Sequence, residues 1–473
     1  MSAEASFVPS PSASDPRAGS SAGSPFSGID LRRLTDALER EVLAAPVVQR
    51  SGKVIEVIGT LIKVAGIDLV LGELCELRNP QGQLLQTGEV VGFTRDFALV
   101  SPFSRLGDIS RSTQVTGLGR PLSVKVGDEL LGRVIDSLGE PIDGGAPLTS
   151  TRMRSIFADP PSPMTRQLID RHLPTGVRVI DAMTTLAEGQ RMGIFAPAGV
   201  GKSTLLGMLA RGAEVDINVI ALIGERGREV REFVEFILGP EGMARSVVIC
   251  ATSDRSSIER AKAAYVATAI AEHFRDEGKR VLLMMDSLTR FARALREIGL
   301  AAGEPPARRG FPPSVFAELP RLLERAGMGA SGSITALYTV LAEDDSGSDP
   351  IAEEVRGILD GHLILSREVA AKNRYPAIDV LGSLSRVMPQ VVDAEYLGAS
   401  TRVRQLLAKH RDVEMLLQMG EYQAGSNPLT DEAIGKIDAL NGFLSQTTGE
   451  LADPHDTAQR LFDLARPGRA PAS

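Results

Sequence analysis

The pattern that most restricts the fold of this chain is an alternation. Short unbroken apolar runs, "GIFA", "NVIALIG", "SVVIC", "VLLMMD" and "SITALYTVL", are separated by amphipathic stretches such as "STLLGMLARG", "REVREFVEFIL", "SIERAKAAYVATAIAEHFRDEG" and "LTRFARALREIG". A strand that is apolar at every position has to be covered on both faces, and helices between successive strands supply that cover. Residues 119–395 are therefore expected to form an α/β unit with a parallel sheet. Upstream, 50–118 alternates β-branched and polar residues around turn signals such as "NPQG", which predicts a small β-barrel. Downstream, 396–473 reads as a helical domain with a frayed end, "ARPGRAPAS". The first 28 residues are rich in Ser, Pro, Ala and Gly and too poor in apolar surface to offset chain entropy, so they are expected to be disordered. Within 1–49, "DLRRLTDALEREVL" brings Leu31, Leu34, Leu38 and Val42 near one helical face, either resting on its own domain or docking a partner.

Composition narrows the function. A net charge of −8, the absence of Trp and an aromatic content of 4 % all count against a surface that tracks nucleic acid. Cys75 and Cys250 lie far apart in apolar stretches and read as reduced core residues. No run approaches the ~20 apolar residues of a membrane span. The N-terminus lacks the basic-then-apolar pattern of a secretory signal, so the expected compartment is the cytoplasm.

Between one of the apolar runs and its helix stands "APAGVGKST" (196–204). Gly199 and Gly201 let successive backbone N–H groups turn toward an anion, and a helix starting near Lys202 adds the positive end of its dipole. Lys202 can then reach β- and γ-phosphates, and the Ser203 hydroxyl can join the shell of Mg²⁺. Gly199, Val200, Gly201, Lys202, Ser203 and Thr204 are the expected nucleotide-binding set, with Ala196 where the general motif has its leading glycine.

Two acids bear on whether the ligand is hydrolysed. Asp286 closes "VLLMMD", and Glu225 follows "NVIALIG". In a parallel sheet, side chains at the carboxyl ends of neighbouring strands converge on one crevice. Asp286 can hold the water shell of Mg²⁺, or cap the helix that comes after it, or both. Glu225 can orient or deprotonate an attacking water; otherwise it pairs with Arg226 or Arg228 on a solvated loop. The transition state also needs a cation, commonly an arginine from another subunit, and Arg386 in "GSLSRVMP" lies in a loop-like stretch.

Four strings are specific enough to indicate a family: "GRVIDSLGEPIDG" (132–144), "LPTGVRVIDAM" (173–183), "GERGREV" (224–230) and "YPAIDVLGSLSRVM" (375–388) resemble the rotary ATPase superfamily. Within it, 287–327 and "GEYQAGSNP" (420–428) resemble the ATPases of type III protein export, which serve the flagellum and the injectisome, and the stretch "CATSDRSSIERAKAAYVATAIAEHFRDEGKRVLLMMDS" looks closer to the injectisome branch. The resemblance spans about 50 to 446. It implies a β-barrel, a RecA-like P-loop domain and a helical C-terminal domain, assembled as a homohexamer with ATP and Mg²⁺ at subunit interfaces.

Carried over by motif, Lys202 and Ser203 grip phosphate and metal, Glu225 is the catalytic carboxylate and Asp286 the Walker B acid. Arg386 is the finger reaching the neighbour's γ-phosphate, Tyr375 lies against the adenine, and Phe443 in "FLSQ" closes the other side of the base pocket. "AEDDSGSDP" (342–350) departs from the family pattern, so Asp344 and Asp345 are given no role. The implied partners are a stator-type regulatory subunit at the N-terminus, a central stalk, export substrates with their chaperones and a membrane export gate, with peripheral association at the inner membrane. The competing expectations are a catalytic subunit of an ion-coupled ATP synthase, an RNA translocase of the same core fold, and a module that binds ATP without hydrolysing it.

Overall fold

The computed structural model describes residues 50–467 except 105, 151 and 343–348, and upstream only Thr35, Leu38, Glu39 and Glu41, all helical. The expected tail and most of the expected docking helix lie outside the described residues, as does the acidic segment 344–347. The chain divides into two compact units, 1–50 and 51–473. The second unit holds the barrel, the α/β sheet and the C-terminal helices.

Six antiparallel strands open it: β1 (Gly52–Ile58), β2 (Leu61–Ala65), β3 (Glu73–Arg78), β4 (Leu84–Phe93), β5 (Ala98–Pro102) and β6 (Gln114–Pro121). They close as a barrel in the order β1-β2-β5-β4-β3-β6. The alternation turns one side of each strand inward, so Val54, Ile62, Val64, Cys75, Leu77, Val90, Val100 and Val115 fill the interior. The "NPQG" turn between β3 and β4 closes as the Gly82 N–H donates to the Asn79 carbonyl at 2.9 Å, with Gly82 at φ 81°, where only glycine is unstrained.

The α/β unit is built on β8 (Val134–Asp136), β10 (Arg191–Ala196), β11 (Ile217–Ile223), β12 (Ser246–Ala251), β13 (Arg280–Asp286), β15 (Ser333–Leu341), β16 (Gly361–Ile364) and β17 (Leu384–Ser385). The order is β17-β16-β10-β15-β13-β11-β12-β8, parallel except that β17 runs against β16 and the short β14 (Gly327–Met328) against β15. β7 (Ser123–Lys125) and β9 (Met153–Ser155) form a separate pair. Alternate residues of the same strands enter two cores, which is why these strands are apolar throughout. Val219, Ala221, Val247, Ile249, Leu283 and Met285 pack with the helices Ser257–Asp276, Leu288–Ala301 and Pro313–Leu323. Ile220, Leu222, Val248, Leu282 and Met284 face the other way, against the helix Lys202–Gly212 and the C-terminal helices.

Those C-terminal helices, Ala394–Met419, Pro428–Leu444 and Pro454–Ala465, each begin at a side-chain cap, Asp393, Asn427 and Asp453, and the last two carry Pro in the first turn. Val403, Leu406, Leu440 and Leu461 seat them on the second core. The barrel meets the α/β unit through a buried ion pair, Lys262 Nζ to Glu89 Oε1 at 2.6 Å. Both cysteines are free and buried, and burial pushes their thiols up to about 12 for Cys75 and about 11 for Cys250, so neither is reactive near neutral pH. No described helix is long and apolar enough to cross a membrane.

Candidate active site

β10 ends at Ala196, and the chain turns through Pro197–Gly201 into the helix Lys202–Gly212. Gly199 and Gly201 sit at φ 83° and 89°, a left-handed conformation that a side chain would strain. Gly201 is also the residue before the helix, and no side chain caps the helix start. Its first N–H groups are thus left to an external acceptor, which is the physical basis of anion binding at a helix N-terminus. Ser203 is exposed in the first turn and Thr204 half-buried, whereas the Val200 side chain is part of the core, so Val200 can serve the loop only through its backbone.

The strand order gathers the expected acids around Lys202. β15 lies between β10 and β13, and β11 lies beyond β13. Asp286 is the last residue of β13, and Glu225 comes two residues after β11. Lys202 forms an ion pair with Asp286 and stands 3.9 Å from Glu225 Oε1. On the intervening strand, the Thr339 hydroxyl donates to Asp286 Oδ1 at 2.8 Å. Neither acid is spent on its local alternative. The cap of the helix Leu288–Ala301 is Ser287, whose hydroxyl accepts from Arg290 N–H, so Asp286 is directed to the crevice. Arg226 and Arg228 pair with Glu229 and Glu232 and not with Glu225, which faces Lys202, Arg290 and the Glu229 carboxyl.

Glu225 is only 9 % exposed. Burial raises its pKa first, the Asp286 charge adds to that, Lys202 and Arg290 oppose it, and a hydrogen bond shared with the Glu229 carboxyl raises it further, leaving the carboxyl at about 7. Arg290 Nη2 donates to Glu225 Oε2 at 3.5 Å, whereas Arg290 Nε, 3.3 Å from Oε1, makes no hydrogen bond to it, and Oε1 is a buried acceptor without a hydrogen-bonding partner. A carboxyl poised near neutrality with a free, buried oxygen in a cleft has what a general base needs.

The donor types suit a hard divalent cation: the Asp286 carboxylate and the exposed Ser203 hydroxyl, next to Lys202 in the chain, offer oxygen atoms. Among the described residues no cluster of three His, Cys, Asp or Glu could hold a metal unaided.

Tyr375 is 43 % exposed, and its ring edge lies 3.8 Å from where a β-carbon on Gly201 would stand, so the ring borders the loop. Arg386 lies elsewhere. It is exposed just past β17, and its N–H donates to the carbonyl of Asp360, whose own N–H donates to the carbonyl of Arg191 at the start of β10. The loop leaves from the opposite end of that strand. Phe443 is a correction. It is 1 % exposed in the second core, with the Arg460 guanidinium 5.5 Å over its ring, so it presents no face to a base. The helix Pro428–Leu444 is rotated so that this position points to the core.

Arg290 and Thr339 were missed in the sequence. For Arg290 a signal existed, an arginine one helical turn beyond a strand-ending acid in "DSLTRF". Thr339 sits inside an apolar run and becomes visible only through strand order.

Sequence and structure comparisons point to one family across the barrel, the nucleotide-binding domain and the C-terminal helices. Residues 54–119 match the β-barrel domain and 176–385 the nucleotide-binding domain of the ATP synthase alpha/beta family. Residues 392–463 match the T3SS EscN ATPase C-terminal domain. A type 3 secretion system ATPase of Xanthomonas euvesicatoria is 68 % identical over 91 % of this chain and 98 % of its own length. A flagellum-specific ATP synthase of Bacillus subtilis is 50 % identical over 88 % of this chain and 95 % of its own. The assembled ATPase EscN of enteropathogenic E. coli superposes with a TM-score of 0.83 at 46 % identity, over 88 % of this chain and all of that one; EscN in complex with its central stalk EscO gives 0.81.

Proposed function

The chain belongs to the type 3 secretion system ATPase family, and on that footing we propose how its residues turn ATP hydrolysis into work on exported proteins. It is an ATPase of the ATP synthase alpha/beta superfamily that energises protein export. In our reading the loop amides and Lys202 hold the β- and γ-phosphates, while Ser203 and Asp286 hold Mg²⁺, which supplies charge neutralisation at the transferring phosphoryl group. Glu225 orients the attacking water and accepts its proton, Arg290 keeps that carboxylate in place, and Thr339 fixes Asp286. Tyr375 stacks on the base. Arg386 completes the site of an adjacent copy in a homohexamer.

The observation that carries this reading is the pair formed by a cradle and a base: an uncapped helix start at Lys202 and, 3.9 Å from its ammonium, a buried carboxyl at about 7 with a free oxygen. A module that only bound ATP would not need the second. The remote position of Arg386 supports a shared site. The injectisome rather than the flagellum is favoured by 68 % identity to a secretion ATPase against 50 % to a flagellar one. The EscN–EscO complex supports a central stalk as a partner. A stator-type subunit at the N-terminus, chaperones, substrates and the export gate complete the proposal, with peripheral association at the inner membrane.

The test is turnover against protein concentration. A site completed between subunits gives activity that rises more steeply than linearly as the ring assembles. A linear response down to monomeric dilution contradicts the shared site.

A further inference from the structure

The turn after the helix Pro428–Leu444, "SQTTGE" (445–450), is held from three directions. The Gln446 N–H donates to the Tyr375 carbonyl at 2.8 Å. Gln446 Oε1 accepts from the Arg178 N–H at 2.8 Å, and its Nε2 donates to the carbonyls of Gly176 and Glu450, both at 2.7 Å. Arg178 Nη1 donates to the carbonyls of Phe443 and Ser445 at 3.2 and 3.0 Å, and Nη2 forms an ion pair with Glu450. From the third side Arg211, in the last turn of the phosphate loop's own helix, donates Nη2 to the Thr448 carbonyl at 2.7 Å. Thr447, Thr448 and Gly449 remain exposed.

Arg178 is 4 % exposed and Gln446 6 %. Burying a guanidinium and an amide is costly unless every donor meets an acceptor, and apolar residues would join two domains at lower cost. Apart from Arg178 Nε, a buried donor without a partner, these side-chain groups are bonded, and most of the bonds converge on one turn, the one joined to the backbone of Tyr375. A buried network with this many bonds on one turn is stiff, so its product is position.

We propose that Arg178 and Gln446 are positioning residues for the nucleotide base. They hold the turn 446–449 against the backbone of Tyr375, and so fix where its ring stands beside Gly201 for the base. The inference rests on the reading of Tyr375 as the base contact.

The chain has no Trp, so Tyr375→Trp installs a single reporter. ATP is titrated against its emission in the full-length protein, with and without Arg178→Lys, which keeps the charge and loses the fork. Tripolyphosphate, which has no base, is the competing probe. The expected result is an emission change with ATP in the parent and roughly tenfold weaker ATP binding with Arg178→Lys. Tripolyphosphate affinity stays level, and KM for ATP in the Tyr375 background rises more than kcat falls. Equal ATP affinity in both proteins overturns the proposal and leaves the base reading standing. Silent emission in a parent that still hydrolyses ATP overturns both. Parallel loss of ATP and tripolyphosphate affinity shows a merely structural arginine and also overturns it. Should Arg178→Lys not fold, Gln446→Glu, which removes the Nε2 donor without changing side-chain shape, is read in the same titration.

Discussion

Arg386 offers a prediction whose size comes from the sheet. The residue is anchored beside Arg191 at the start of β10, and the phosphate loop leaves that strand after Ala196. Five strand steps separate the two, about 16 Å at the usual rise, so an arginine side chain cannot bridge them within one chain. If Arg386 acts, it acts on a neighbour through a head-to-tail interface that closes into a ring. Lys202→Ala removes the cradle but leaves the finger, and Arg386→Ala does the opposite. Each alone should be nearly inactive, since an arginine finger is worth about 10³–10⁵ in kcat. In an equal mixture, an interface works when an intact loop meets an intact finger, which occurs at about a quarter of random ring interfaces. Phosphate release from monomers mixed before assembly should therefore recover to about a quarter of the parent rate if interfaces act independently. The control is Lys202→Ala mixed with the Lys202→Ala/Arg386→Ala double variant, which contains no complete interface. A mixture that never exceeds the sum of its components refutes the argument, as does full activity in Arg386→Ala alone.

Glu225→Gln should bind ATP with parent affinity while turnover falls by about 10²–10⁴, read by equilibrium binding alongside phosphate release. Because only the carboxylate accepts a proton, kcat/KM of the parent should rise with pH around about 7, and that limb should vanish in the variant. Thr339→Val deletes the 2.8 Å bond to Asp286 with little change in volume; turnover should fall about tenfold and the Mg²⁺ concentration for half-maximal rate should rise, with thermal stability held. Lys262→Met strands Glu89 at the barrel junction and should cost about 3–5 kcal/mol in denaturant unfolding, with Lys262→Met/Glu89→Leu recovering most of it; additive losses would contradict the pairing. Burial already raises the Glu89 pKa and removing Lys262 raises it further, so the deficit of the single variant should shrink as pH falls and the carboxyl takes up its proton.

Much of the architecture was legible because it is encoded locally. An apolar run with helices on either side specifies a strand covered twice, and glycines at 199 and 201 announce left-handed backbone before a helix. Lys202, Glu225 and Asp286 could be read together because each lies at or just beyond the end of a strand, and a parallel sheet brings such ends to one edge. What lies across the sheet or between domains was not legible. Periodicity tells that a side chain is buried but not what it faces: Thr339 meets Asp286 only because β15 lies next to β13, and Phe443 turns to the core only because the C-terminal helices pack as they do. The distance of Arg386 from its own loop depends on β17 running against β16 at the far edge. Local sequence thus determined the elements and the chemical groups they carry, whereas strand order and helix rotation, set by contacts between remote segments, decided which groups meet.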